Sequence, residues 1–504
     1  MPSARWRSPG AWSGPDKRSR LMTKTIKSIS NPKLKLHVLD QDEIRRLHEA
    51  TLQVIAEVGV RFPSPRALEI WAAHGASVDR ERMIVRAAPE LIESALKSCP
   101  PAYPLAGRDP AQDLPLDGNH VYLGTDGCGV EIIDIHSQER RTSCLQDVAD
   151  IARIADATEE IAFHWVALSA QDRPPETRGL HEIKAVWENS TKHVQTESIY
   201  TEAEARAAME MAILLAGGRD QLRRRPVLSL MQCSAPPLGH DGGSLEAALV
   251  AAEYGIPTGF MTMAACLTTG PATMAGNLVV GNAEVVAATA MLQLAYPGAP
   301  VFYAAAQTAS DLRSGAYTGG GPEDFLFGAA TNLLADHYNI PLSMGSFATG
   351  AKEPNWQAGL ENSLSTFMAS LVMADMLLGA GFLHGSRIWS YAEMMMDCEI
   401  FAIIHKMMQG IEVNDETLAL ETIAAVGPGG NFLSQKHTLK HMRDLFLPRF
   451  MDRRPYNEWE EKQDGAADWA LDRARKLLVE HQPEPLDEKV SAEMSRIIAA
   501  AEKA

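Results

Sequence analysis

Between residues 121 and 409, eight short apolar stretches alternate with eight longer helical stretches, and no other feature of the sequence narrows the choice of folds as much. The short stretches are apolar along their whole length, which is typical of parallel strands buried on both faces. Eight such strand–helix units favour a closed (β/α)8 TIM barrel, with an open doubly wound sheet as the alternative. The predicted strands cover residues 121–124, 161–168, 193–197, 227–232, 258–263, 301–305, 342–346 and 381–384.

Helical periodicity predicts the segments that connect and flank these strands. The connecting helices are predicted at residues 145–157, 180–189, 202–216, 243–254, 271–295, 322–338, 357–378 and 391–409. A small hairpin is predicted within 128–141, at the rim of the barrel. We therefore expect a leader at 1–39, an N-terminal helical region at 40–115, the barrel at 116–410 and a C-terminal helical region at 411–504.

The leader is basic and lacks the continuous apolar core of a secretory signal. Residues 1–21 are predicted to be a disordered tail or an over-extended start before Met22, with an organellar transit peptide as the alternative. The most apolar long window, 366–383, contains Asp375 and two glycines, so it favours a buried helix plus strand over a bilayer span. We expect a soluble, cytoplasmic protein.

The charge balance and the spacing of cysteines and histidines argue against nucleic-acid binding and against a metal site. Asp and Glu number 64 and Lys and Arg 47, which leaves a net charge of −17 and argues against a phosphate-binding surface for nucleic acid. The six cysteines include no C-x-x-C pair, the fifteen histidines show no ligand spacing and H-E-x-x-H is absent. We therefore expect a reducing compartment and no metal held by protein ligands.

The active site of a TIM barrel lies at the carboxyl ends of its strands, so the residues there are the functional candidates. They include Asp126, Glu197, Gln307 and His384. Cys233 and Cys266 also lie near strand ends, where a cysteine is either a nucleophile or a buried structural thiol. His384 either orients a substrate carboxylate or bonds a neighbouring loop.

Aromatic residues make up only 6% of the chain, so their placement is informative. Several fall in or near the predicted strand ends, where a ring face could bind a quaternary ammonium ion by cation–π attraction. Filling of the core is the alternative for each ring. These residues are Trp165, Tyr303, Tyr317, Phe347, Trp356 and Trp389.

Four ordered motifs together carry a family resemblance. They lie at 268–284 (TTGPATMAGNLVVGNAE), at 296–303 (YPGAPVFY), at 311–323 (DLRSG leading to GPE) and at 352–359 (K-x-P-x-x-Q-A-G). With these motifs the chain, over about residues 40–500, resembles the trimethylamine methyltransferase family of corrinoid-dependent enzymes. The resemblance implies a (β/α)8 barrel, which agrees with the strand pattern.

The resemblance also implies an activity, namely transfer of a methyl group from a methylated amine to the Co(I) of a separate corrinoid protein. Trimethylamine enzymes of this family carry pyrrolysine near the end of the seventh strand, whereas residues 344–350 here (MGSFATG) are all standard. The chain therefore resembles the non-pyrrolysine branch, which includes glycine betaine methyltransferase. No D-x-H-x-x-G corrinoid-binding motif occurs, so the cofactor, cob(I)alamin or a related corrinoid, is expected on a partner protein.

A quaternary amine suits this site because its neutral tertiary amine leaves without protonation and needs no metal Lewis acid. We expect Phe347, Trp356 and Tyr303 to contact the substrate. Gln307 and His384 are the candidates for its polar end, and Glu197 for electrostatic support of the cation.

Other readings remain open at this point. A trimethylamine-type demethylase without pyrrolysine is one, and a barrel that binds ligands without catalysis is another. A lyase or aldolase would need a lysine at a strand end, and the nearest is Lys352, within the fourth motif. The particular substrate and the oligomeric state do not follow from the sequence, although the helical tail would suit a homo-oligomer.

Overall fold

The computed structural model describes residues 28–30, 36, 38–127, 129–316 and 319–503. Eight parallel strands form a closed barrel, because the last strand pairs with the first through Met376↔Tyr122 and Leu377↔Leu123. The predicted TIM barrel is therefore confirmed. The barrel strands, numbered here from first to eighth, are His120–Thr125, Ile161–Trp165, His193–Thr196, Leu228–Cys233, Thr258–Thr262, Val301–Ala305, Leu342–Gly345 and Met376–Ala380.

Helices surround the barrel and are followed by the C-terminal helical region. The longest of the surrounding helices, Met274–Ala295, is long and apolar enough to cross a membrane, but most of it is buried in the protein and it carries the buried Glu284. It is a core helix of the barrel. The surrounding helices are Leu145–Ala157, Arg178–Asn189, Glu202–Ala216, Arg219–Arg224, Gly242–Tyr254, Met274–Ala295, Pro322–Tyr338, Trp356–Leu371 and Tyr391–Met408. The later helices are Asp415–Leu418, Leu420–Val426, Lys436–His441, Tyr456–Lys462, Ala466–Glu480 and Glu488–Ala501.

The region before the barrel, predicted to be helical, contains three helices together with short strands that periodicity did not reveal. The first helix begins at a capping box in which Asp40 and Glu43 each bond the other's amide. Its apolar side packs on helix Met274–Ala295. The helices are Gln41–Glu57, Pro65–Ala73 and Pro89–Leu96. The short strands are Val60–Arg61, Ser77–Asp79, Ile84–Arg86, Tyr103–Leu105 and Leu114–Leu116, with a 3-10 turn at Pro110–Gln112. Most of the predicted leader, 1–39, lies outside the described residues, and within it Ile29–Ser30 pairs with the first barrel strand.

The predicted position of the eighth strand, 381–384, is wrong. The helix before it ends at Leu371 rather than at residue 378, and the strand follows at Met376–Ala380. The run Met376-Leu-Leu is fully apolar, and such a run has the same appearance in a buried helix and in a buried strand. The backbone separates the two elements, since Met373 has a positive φ of 62° after the helix.

The predicted rim hairpin is confirmed. Glu131–Ile133 pairs with Arg140–Thr142, and this hairpin extends onto Phe382–Leu383 and Ile388–Trp389 to form a four-stranded sheet. Cys128, at the start of the predicted hairpin segment, lies outside the described residues. The sheet stands beside the carboxyl end of the first strand, so it borders the end of the barrel where TIM barrels bind their substrates.

Candidate active site at the mouth of the barrel

The carboxyl ends of the eight strands form one end of the barrel, which we call the mouth. Asp126 follows the first strand directly and is 7% exposed. Burial raises the pKa of its carboxyl to about 6, while hydrogen bonds from the Ser386 hydroxyl and the Gly127 amide oppose that rise. At pH 7 and above this carboxyl is therefore mostly ionised.

Trp165 ends the second strand next to Asp126. Its amide donates to Thr125 Oγ1 at 3.0 Å, and that hydroxyl donates to the Trp165 carbonyl at 2.6 Å. The indole lies on Gly127, where a Cβ would come within 2.3 Å of the Trp165 Cε2 and Nε1 atoms. Glycine is thus required there because the ring occupies the space of a side chain. The buried indole N–H finds no hydrogen-bond partner within the described part of the chain.

Glu197 and Cys233 form the next part of the mouth. Glu197 follows the third strand, and its Oε2 lies 3.9 Å from the Cys233 thiol at the end of the fourth. Burial raises the pKa of Cys233 well above its usual value, and the charges of Glu197 and Asp126 raise it further. Cys233 is therefore a neutral thiol at physiological pH, which disfavours the nucleophile reading weighed for it above.

His384 lies at the rim, because the eighth strand ends four residues before it. It occupies the turn between the rim strands Phe382–Leu383 and Ile388–Trp389, with a positive φ of 57° and its amide donating to the Ala351 carbonyl at 2.7 Å. The same turn carries Ser386, which bonds Asp126. Partial burial lowers the pKa of His384, as do the positive charges of Lys352 and Arg387.

Gln307 lies in a separate crevice beside the sixth and seventh strands. Its Nε2 donates to the Asn277 carbonyl at 2.8 Å and to Asn277 Oδ1 at 2.6 Å, while its buried Oε1 has no partner among the residues described. The crevice offers about 20 Å³, which is enough for a water molecule but not for a betaine. Its lining includes Ala306, Asp324, Gly345, Ser346 and Ala348.

The three predicted ring contacts lie in three different surroundings. Tyr303 faces outward from its strand, and its hydroxyl donates to Asn282 Oδ1 at 3.1 Å on helix Met274–Ala295. Phe347 is fully buried with its Cα and Cβ against Gly379. Trp356 is 79% exposed at the start of its helix. Their role in substrate binding stays a prediction.

Of the residues predicted from the sequence, Glu197 lies at the mouth, His384 at its rim and Gln307 in the neighbouring crevice. Sequence reasoning did not select Asp126 or Trp165 for a role, although both stood among the strand-end candidates. The available signal was Gly127, since a glycine directly after a strand-end carboxylate makes room for a large neighbour. Tyr317 lies outside the described residues.

No group of three or more His, Cys, Asp and Glu side chains suited to a metal ion occurs in the described ranges. The groups described at the mouth are the carboxyls of Asp126 and Glu197, the thiol of Cys233 and the indole of Trp165. These groups can bind and orient a small cation.

The fold and the mouth define this chain as a TIM-barrel protein of the class that binds small molecules at the carboxyl ends of the strands. It belongs to the trimethylamine methyltransferase (MTTB) family, whose model matches residues 7–504, and it is therefore a methyltransferase. The family predicted from the sequence motifs is confirmed.

Two relatives illustrate the range of the family. The chain is 34% identical to trimethylamine methyltransferase MttB of Desulfitobacterium hafniense (strain DSM 10664 / DCB-2) over 464 residues, covering 92% of this chain and 93% of the relative. It is 32% identical to glycine betaine methyltransferase of Desulfitobacterium hafniense (strain Y51) over 468 residues, covering 92% and 97%.

Among solved structures, the monomethylamine methyltransferase MtmB of Methanosarcina barkeri aligns with a TM-score of 0.52 at 10% identity, covering 94% of this chain and 89% of that one. This likeness supports the barrel fold.

Proposed function

We propose that this enzyme transfers a methyl group from a quaternary, betaine-type amine to the Co(I) centre of a separate corrinoid protein, leaving a tertiary amine. The observation that carries the proposal is the composition of the mouth. Asp126 and Glu197 supply negative charge beside the indole of Trp165, and an acidic site with an aromatic wall attracts an organic cation.

The absence of pyrrolysine supports a quaternary rather than a tertiary donor. Residues 344–350 are all standard, and the similarity to a glycine betaine methyltransferase extends over nearly the whole chain. In a quaternary donor the nitrogen is permanently charged, so the departing amine needs no proton from the protein.

The step balances without any group from the chain. A C–N bond of the donor breaks and its electron pair stays on nitrogen, while the Co(I) centre supplies the electron pair of the new bond to the methyl carbon. The chain binds the cation through Asp126 and Glu197, orients it against Trp165 and excludes water. The chain thus accelerates the reaction by holding the methyl group close to cobalt and in line with it.

We assign the other predicted residues to the surroundings of this cation. His384 is proposed to meet a polar end of the substrate at the rim, and Gln307 to hold an ordered water or polar group in its crevice. The corrinoid protein is proposed to dock over the mouth, because the methyl group must meet cobalt there. Free thiols at the five described cysteines agree with a cytoplasmic location.

We propose further that the chain forms a homo-oligomer through residues 411–463, which we call the arm. Its four helices contain no buried residue and are four to seven residues long, too short to be stable alone. Large apolar side chains are exposed along it, among them Ile411, Leu433, Leu445 and Leu447. Such a surface is typical of an interface.

The position of the arm favours a second copy of this chain over the corrinoid partner. Helix Tyr391–Met408 begins at the rim and runs away from the mouth, so the arm starts at the opposite end of the barrel. Arg449 anchors it there by pairing at 3.0 Å with Glu160, directly before the second strand. Charge supports self-association as well, since residues 411–427 are acidic and residues 436–454 are basic.

The proposal is tested by anaerobic incubation of the enzyme with cob(I)alamin and a panel of N-methyl quaternary amines. We expect conversion of the Co(I) spectrum to that of methylcobalamin with at least one compound, and no conversion with Glu197→Gln or Asp126→Asn at the same substrate concentration. Turnover of trimethylamine alone would instead support a tertiary-amine demethylase. Binding of the compounds without methyl transfer to free or protein-bound corrinoid would support a non-catalytic barrel.

A further inference from the structure

The helix that follows the seventh strand carries a row of exposed apolar side chains, which we call the stripe. It consists of Trp356, Leu360 and Leu364, which are 79%, 41% and 44% exposed. Residues four apart lie one above another on the same side of a helix. Ala358 and Asn362, on the opposite side, are fully buried, so the stripe faces away from the barrel. Such a row of large apolar side chains is typical of an interaction surface.

The stripe leads away from the mouth. Helix Trp356–Leu371 follows the seventh strand, so it begins at the mouth and runs along the side of the barrel. Leu364 lies eight residues further along the helix than Trp356, which is about 12 Å at 1.5 Å per residue. A partner that docks over the mouth, as we propose for the corrinoid protein, therefore reaches one end of the stripe and leaves the rest uncovered.

The surroundings of the stripe are acidic. Residues 314–371 contain five Asp and Glu, and Lys352 is the one Lys or Arg among them. The exposed Glu353 lies just before the stripe, and the exposed Glu323 lies on the neighbouring helix Pro322–Tyr338. An apolar surface with basic residues around it would therefore complement the stripe in both respects.

The arm contains a segment of this composition. Residues 436–454 include six Lys and Arg but two Asp and Glu, and Leu445 and Leu447 are exposed among them. Arg449 holds this segment on its own barrel through Glu160. The stripe is exposed with the arm of the same chain in this position, so the chain's own arm does not cover it.

Resting on the homo-oligomer proposed above, we infer that residues 436–454 of each copy dock on the stripe of a second copy. The apolar side chains of the arm pack against Leu360 and Leu364, and its basic residues face the acidic surroundings of the stripe. In a two-fold dimer the exchange is mutual, so two equivalent contacts form. One interface thus covers two apolar surfaces that each copy leaves exposed on its own.

The test is the mass of full-length variants measured by light scattering, alone and mixed. The stripe variant combines Leu360→Glu with Leu364→Glu, and the arm variant combines Leu433→Glu, Leu445→Glu and Leu447→Glu. We expect each variant alone to have the monomer mass of 54.9 kDa. Their equimolar mixture should reach the mass of a dimer at a concentration at which each alone is monomeric, because the intact arm of one variant meets the intact stripe of the other.

The matched control is Val479→Glu, which also places a carboxylate at an exposed aliphatic position on a helix, Ala466–Glu480. It should keep the mass of the wild type. The stripe variant should also keep methyl transfer to free cob(I)alamin, because the stripe lies outside the mouth, and this activity shows that the variant is folded.

Two results would overturn the inference while leaving an oligomeric role for the arm. One is a stripe variant that stays oligomeric while the arm variant is monomeric, which would leave the stripe to another partner such as the corrinoid protein. The other is a mixture that stays monomeric, which would show that arm and stripe do not meet. A monomeric wild type would refute the homo-oligomer as well, and loss of methyl transfer in the wild type would refute only the proposed reaction.

Discussion

At the scale of single residues, the mouth depends on Gly127. The backbone there is not in the left-handed region, so the requirement for glycine is one of space. The Trp165 indole occupies the position of a Cβ. Gly127 also donates its amide to the Asp126 carboxyl. Gly127 therefore holds the carboxyl group of Asp126 and the ring of Trp165 in one place. A change at Gly127 should therefore affect stability and cation binding together.

Gly127→Ala is the corresponding prediction. The added methyl would lie 2.3 Å from Trp165 Cε2 and Nε1, so the ring must move. We expect a loss of about 1–3 kcal/mol in the free energy of unfolding and at least a tenfold loss of affinity for the best quaternary ammonium ligand. Urea denaturation and calorimetry measure the two effects.

The control for this prediction is Gly359→Ala, in helix Trp356–Leu371, where a Cβ meets nothing within 4 Å. That variant should gain up to about 1 kcal/mol from helix propensity and keep its affinity. Full ligand affinity in Gly127→Ala would show that the ring position does not matter for binding.

At the scale of elements, a buried pair of carboxyls connects helix Tyr391–Met408 to the rim. Glu393 and Asp397 hydrogen-bond to each other, and Asn362 Nδ2 donates to Glu393 Oε1 at 3.0 Å and to Asp397 Oδ1 at 2.9 Å. The Gly381 amide donates to Asp397 Oδ2 at 2.9 Å, which fixes the chain just before the rim turn. Burial raises both pKa values, that of Asp397 to about 8.

This pair predicts a pH dependence of stability. The native state holds protons that the unfolded state releases near pH 4, so the free energy of unfolding should fall as pH rises from about 4 to about 8. Each such proton contributes a slope of up to about 1.4 kcal/mol per pH unit. Glu393→Gln mimics the protonated acid and should make this slope shallower in urea denaturation series at pH 5 to 8, while Asp397 and other buried carboxyls with raised pKa values, such as Glu182, keep the remainder of it.

The exposed Glu412→Gln change is the control and should leave the slope as in the wild type. If the free energy of unfolding of Glu393→Gln changed with pH as steeply as that of the wild type, the pair would not hold a proton in the native state.

The elements also show what could be predicted from the sequence. Helix Glu202–Ala216 and strand Val301–Ala305 lie at their predicted bounds, because caps and short β-rich runs mark them clearly. The eighth strand could not be located, since Met376-Leu-Leu fits a buried helix equally well and the separating turn depends on a positive φ at Met373. Tyr303 faces Asn282 because an apolar run has no alternation to reveal which residues point inward.

At the scale of the whole molecule, the two ends of the barrel have different roles in this account. We propose that the mouth receives the substrate and the cobalt of the partner, and that the arm at the other end joins copies of the chain. We predict that Leu433→Glu, Leu445→Glu and Leu447→Glu combined lower the mass measured by light scattering to that of the monomer, because these side chains are exposed by 72% or more.

Leu312→Glu is the matched control, since Leu312 is 82% exposed in the loop after the sixth strand, at the mouth. It should leave the mass unchanged. A monomeric wild type, or an oligomer that survives the triple change, would contradict the role given to the arm.

The most direct measurement follows a single methyl group. The enzyme is incubated with cob(I)alamin and the betaine-type amine that gives the most conversion in the panel, labelled with ¹³C in its N-methyl groups, and the products are observed by NMR. We predict ¹³C-methylcobalamin and the corresponding tertiary amine in equal amounts, with neither formed by Glu197→Gln. Methylcobalamin without a matching tertiary amine, or no label on cobalt from this or any other quaternary amine, would contradict the account.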